Sequence, residues 1–181
     1  LGFSIASETQ ALLAIICASG ELATLAKERI WQETQKALSS QSPWIYFEVL
    51  EVCGALHQLM PALAELLSRR PQALNTLRLT SAASTRTEVR FTGVLYQLNK
   101  PQIEDLAKQI KLPNQHKALA LATSNHQRQL RAYTELEAAQ KHLLLSNLGL
   151  MRHTELLDDL LCLCQAITQT QEPLFGWQSK S

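Results

Sequence analysis

Ser42-Pro43-Trp44-Ile45-Tyr46-Phe47-Glu48-Val49-Leu50-Glu51-Val52-Cys53-Gly54 is the stretch that decides the fold class. Apolar side chains at 46, 47, 49, 50 and 53 fall at the spacing of one buried helix face. Proline at the first helical position and glycine just past the last bracket that face, as a helix start and stop require. Outward from it the pattern is the same in both directions. Leucine, alanine, glutamine and glutamate dominate, only 6 glycines interrupt 181 residues, and no stretch alternates apolar and polar with period two.

The expected fold is therefore all-α, about nine to ten helices in all. Upstream, Ser7 and Gln10 fit a capping box before the stripe Leu12, Leu13, Ile15 and Ile16, and Gly20 fits a C-cap. A helix over 27–38 follows. Downstream, Pro61 opens a short helix to about Arg70, and Pro71 marks the expected boundary between a module over 1–70 and a helical body over 71–171. Within the body the punctuation predicts helices near 72–83, 86–98, 101–111, 114–124, 126–146 and 153–168. Residues 172–181 read as a loose tail.

Composition excludes several classes. There are 17 Lys and Arg against 16 Asp and Glu, a net charge of +1, so nucleic-acid binding requires a local patch rather than a bulk charge. No apolar run is long enough for a membrane span, and neither a membrane nor DNA is an expected partner. Cys17, Cys53, Cys162 and Cys164 sit irregularly inside apolar helical patterns, which predicts buried reduced thiols in a cytoplasmic protein. On a helix the side chains of Cys162 and Cys164 diverge and no further pair completes a zinc site, so no metal centre is expected. The three aspartates, Asp105, Asp158 and Asp159, form no paired-acid cage, and with Glu155 the last two suit a helix N-terminus.

Several segments carry a likeness to one family. Leu1-Gly2-Phe3 with Ile5, Glu8 and Thr9, then Glu28-Arg29-Ile30 with Glu33, then Tyr46-Phe47-Glu48-Val49-Leu50 and Cys53-Gly54-Ala55-Leu56, resemble the neck of bacterial tRNA nucleotidyltransferases, the CCA-adding enzymes, and of their poly(A) polymerase relatives. The resemblance implies that a catalytic head precedes this neck, and that the parent enzyme adds CCA to tRNA 3′ ends from CTP and ATP with magnesium. It assigns Glu28, Arg29 and Glu33 to buttressing the neck; Arg29 and Glu33, four apart, share a helix face. Past Pro71 the likeness is to a metal-dependent HD phosphohydrolase domain whose ligands have been replaced. Asn75 stands for the first histidine, Tyr96-Gln97 for the His-Asp pair, and Asn125-His126-Gln127 for a later acid-bearing segment. Such side chains do not make a divalent-metal site.

What this chain is expected to contribute is therefore support and RNA binding, without catalytic residues, cofactor or polymerising activity of its own. The expected partners are the tRNA acceptor arm and the catalytic head. Arg69, Arg70, Arg78, Arg86, Arg90, Lys108, Lys111, Arg128 and Arg131 are the candidate backbone contacts, with Lys117 and Lys141 as further cations. Arg128 and Arg131, like Lys108 and Lys111, are three apart and can straddle successive phosphates. The same neck suits a poly(A) polymerase, and a helical interaction module without RNA binding is the reading from another class.

Overall fold

The structure is a computed structural model and describes residues 26–148 and 157–169, for 157–162 the backbone only. The N-terminal capping box, Gly20, Cys17, the start expected at 153 and the 172–181 tail lie outside the described residues. Within them the chain is all-α, with eleven α-helices, two 3₁₀ turns and no strand.

The first helices build half of a core. α1 (Lys27–Leu38) buries Ile30, Trp31, Thr34 and Leu38 on one face. α2 (Trp44–Val52) presents Phe47, fully buried, and leaves Pro43 at its N-cap. Gly54 takes a left-handed φ of 77°, where a Cβ would be strained, and so ends α2. A short helix not expected from the sequence, α3 (Ala55–Leu59), follows directly and leads through buried Met60 into α4 (Pro61–Arg69). After a 3₁₀ turn at Pro71–Ala73 come α5 (Leu74–Ala83) and α6 (Thr87–Leu95).

Helix α6 is the centre. Val89 through Leu95 are all buried, so it has no solvent face. Phe91, Val94 and Leu95 join a cluster that runs from Ile30 through Phe47, Leu67 and Leu77 to Ala120. Val89 belongs to a second cluster with Leu130, Leu144, Leu163 and Ile167. Phe91 stacks on Phe47 at 5.9 Å between ring centroids, and Gly93 lets α5 approach closely, since a Cβ there would lie 2.8 Å from Thr80 Oγ1. The chain thus breaks its helix at Pro71 without breaking its core.

α7 (Lys100–Ile110) opens on a capping box in which Asn99 Oδ1 accepts from the Gln102 amide at 3.0 Å and Gln102 Oε1 accepts from the Asn99 amide at 3.0 Å. α8 (Asn114–Asn125) follows. The single helix expected over 126–146 is instead α9 (Gln127–Arg131), a 3₁₀ turn at Tyr133–Glu135, and α10 (Ala138–Asn147). The cause is packing. Leu130 and Leu148 share one cluster with Leu163 of α11 (Leu157–Gln169), yet a straight helix would set them roughly 27 Å apart. The bend at extended Leu136 folds α10 back, and a second capping box, Glu137 with Gln140, restarts the helix. Cys53 and Cys164 are buried free thiols, and burial pushes Cys164 up to about 12.

One buried charge fastens the two halves. The Arg90 guanidinium donates to Ser84 O at 2.5 Å, Leu38 O at 2.7 Å, Ser40 O at 2.8 Å and Ser81 O at 3.1 Å. These carbonyls lie at the C-terminal ends of α1 and α5, where intrahelical donors have run out. Arg90→Met is expected to lower unfolding stability in urea by on the order of 3 kcal/mol, because four carbonyls lose a charged donor at once.

His116 supplies a pH dependence. It is buried, its ring packs edge-on to Trp31 at 4.8 Å, Nε2 faces Thr87 Oγ1 at 3.1 Å, and Nδ1 has no partner. Burial pulls its pKa below the ordinary histidine range, and Glu88 opposes that in part. The unfolded chain therefore binds more protons than the folded one below about pH 6.5, so stability falls as pH drops through that value. Denaturant midpoints at pH 7.5 and pH 5.5 should differ by less in His116→Gln than in the unsubstituted protein.

Candidate nucleic-acid interface

Where α4 ends, the α6–α7 turn and α9 approach it, and the three segments enclose a cleft of about 670 Å³. Arg69 and Arg70 line one side, and Arg128 and Arg131 another, with Gln97 and Gln127 between them. Four guanidinium groups thus face one carboxylate, that of Glu65, which pairs with Arg69 at 2.6 Å. That pair is exposed on both sides and worth at most about 1 kcal/mol, so it does not withhold Arg69 from an anionic ligand. Arg131 keeps its Nε buried with no protein partner.

The walls are fixed by backbone contacts. Gln127 Nε2 donates to Tyr96 O, Gln97 Nε2 donates to Ala73 O at 3.1 Å, and Ser124 Oγ donates to Leu98 O at 2.6 Å. The α6–α7 turn is therefore held both by the end of α8 and by the start of α9.

The other candidate cations are placed elsewhere and mostly matched. Arg78 pairs with Glu48 at 2.6 Å and lies 5.5 Å over the Trp44 ring; Arg86 pairs with Glu88 at 3.0 Å. Arg90 must be removed from the candidate RNA contacts, because it is only 6% exposed and its guanidinium serves four carbonyls. Lys141 stands 5.4 Å over Tyr133. Lys108 reaches Asp105 at 3.7 Å and, with Lys117, lines a separate hollow of about 470 Å³.

Of the neck residues, Glu28 crosses to Lys111 at the left-handed C-cap of α7, and that hydrogen bond holds the Glu28 carboxyl below its ordinary range. Arg29 and Glu33 are exposed and form no ion pair among the described residues. No three His, Cys, Asp or Glu side chains converge among the described residues. Asn75, in the place of the first histidine of the HD-like likeness, is exposed on α5, whereas Gln97 and Gln127, where that likeness expects acids, stand in the arginine cleft. Asn125 belongs to α8 rather than to the helix of Arg128 and Arg131.

Gln97, Gln127 and the capping pair Asn99 and Gln102 are cleft residues that charge counting passes over. The hydrogen bonds of Gln97 and Gln127 join positions 24 and 31 apart in sequence, and no local pattern announces them.

Residues 2–67 match the family described as "Probable RNA and SrmB-binding site of polymerase A". Over 92% of its length the chain is 32% identical to the multifunctional CCA protein of Aliivibrio salmonicida, covering 48% of that protein. It is 34% identical over 92% of its length to the multifunctional CCA protein of Tolumonas auensis, of which it covers 48%. Against the CCA-adding enzyme of Pseudomonas putida it is 33% identical over 91% of its length and 44% of that enzyme. Over nine tenths of its length the chain is thus similar to CCA-adding enzymes, and its first third to an RNA-binding region named for polymerase A. It spans about half the length of the curated relatives it matches, and no solved structure matches it. Glu65 and Leu66 of the cleft fall inside the segment matched by the RNA-binding family, and Arg69 and Arg70 follow it directly. Among the described residues no helix is long and apolar enough to cross a membrane.

Proposed function

We propose that this chain holds RNA for an enzyme that adds nucleotides to tRNA 3′ ends, gripping the acceptor arm by its phosphates. The observation that carries the reading is the convergence of Arg69, Arg70, Arg128 and Arg131 on one cleft with a single opposing acid. Guanidinium groups suit backbone phosphates because their planar donor forks match two oxygens at once and stay charged at every working pH. A-form RNA is read largely through such contacts, without base sequence.

In the whole enzyme the chemistry would be CCA addition, as the names of the relatives suggest, with CTP, ATP and magnesium as the neck resemblance implies. The described residues here do not fit a two-metal centre, since no group of three acidic or imidazole side chains converges. The chain's part is then positioning: nucleotidyl transfer depends on holding the attacking hydroxyl in line, and a rigid body fixing the RNA contributes to rate without a reacting group. A poly(A) polymerase is the second reading, favoured by the family description that names polymerase A.

Filter binding of tRNA across 50 to 200 mM salt tests the proposal. Affinity should fall steeply with salt, and Arg128→Ala with Arg131→Ala should weaken binding and flatten the log–log slope by roughly two. An unchanged affinity and slope in the double variant would remove the cleft from RNA binding.

A further inference from the structure

Acceptors in an otherwise cationic cleft ask for a ligand that donates. The Gln97 amide nitrogen is committed to Ala73 O, and the Gln127 amide nitrogen to Tyr96 O. Only nitrogen can donate to a carbonyl, so both amides have a fixed orientation and each Oε1 is left as an acceptor without a protein partner among the described residues. Neither oxygen is among the buried unpartnered atoms, so both remain open where their residues line the cleft. Gln97 stands on the α6–α7 turn whose Tyr96 carbonyl anchors the Gln127 amide, and both residues line the one cleft. A phosphate oxygen cannot use these acceptors. A hydroxyl can, and the group that sits beside every phosphate of an RNA strand and is missing from DNA is the 2′-hydroxyl.

We infer that Gln97 and Gln127 are specificity-determining residues that accept hydrogen bonds from ribose 2′-hydroxyls of the strand whose phosphates the arginines hold. The inference rests on the RNA reading of the cleft. Base amines would be an alternative donor, but they change with sequence, whereas the fixed pairing of two acceptors with four guanidinium groups matches the repeating ribose-phosphate unit.

The test is competition binding to the purified protein with one acceptor-stem sequence made as RNA, as DNA and as 2′-O-methyl RNA. The last keeps the RNA sugar pucker but has no 2′ donor. RNA should bind roughly tenfold tighter than either of the others, and Gln97→Met with Gln127→Met should abolish that margin, read as the ratio of RNA to DNA binding within each variant. Equal binding of RNA and 2′-O-methyl RNA would overturn the inference. So would a preference that survives the double substitution, a parallel loss for RNA and DNA, or a preference that follows base identity. Failure of the underlying reading looks different: Arg128→Ala would then leave RNA and DNA binding alike untouched.

Discussion

A single guanidinium, that of Arg90, sets the geometry on which the rest of this protein depends. Burying an unpaired charge is costly, and the cost is offset only when every donor finds an acceptor. Arg90 finds four carbonyls, two at the end of α1 and two at the end of α5, so it answers its own desolvation and supplies the donors that two helix termini lack. Its position on α6 means that this polar clamp and the Phe47–Phe91 stack act on consecutive residues of one helix, about 100° apart around its axis. The consequence runs along the helix axis. With α6 held at its first turn and buried throughout, its last residues lead into Tyr96 and Gln97 at a defined place, and these form one wall of the cleft.

That cleft is electrostatically distinct because of what its arginines lack. Several cations elsewhere have an acid beside them: Arg78 has Glu48, Arg86 has Glu88, Lys108 has Asp105 and Lys111 has Glu28. Each such exposed pair contributes little to stability, but it cancels the field at that point. Around the cleft four guanidinium groups share one carboxylate, so the positive potential remains. A chain of nearly zero net charge thereby presents a concentrated cationic surface. The arrangement shows how a chain can be neutral overall and still concentrate positive charge at one place: its acids stand beside other cations.

Much of the helical plan could be read before any tertiary structure. The starts at Pro61 and at Asn99-Lys100-Pro101, the stop at Gly54 and the α-class itself follow from capping chemistry and helix-face spacing, which are local. The likeness around Tyr46 to Leu56 pointed to the proteins the comparisons match, although within the helix over 44–52 only Phe47 is fully buried. The bend after Arg131 was not readable. Leu130, Tyr133, Leu136 and Leu144 keep a helical rhythm through it, and what folds α10 back is the packing of Leu130, Leu144 and Leu148 in one cluster with Leu163.

The roles of the arginines divide along the same line. Residue type and spacing along the chain were enough to mark Arg69, Arg70, Arg90, Arg128 and Arg131 as cations suited to phosphates. Which of them face solvent together, and which one is consumed inside the core, depends on burial and on contacts between residues dozens of positions apart. Arg90 sits 50 and 52 residues from two of its acceptors, and Gln127 sits 31 from the carbonyl that orients it. Local chemistry written in the chain selects helices, caps and charges; only the folded packing of α4, α6 and α9 decides which charges share a cleft.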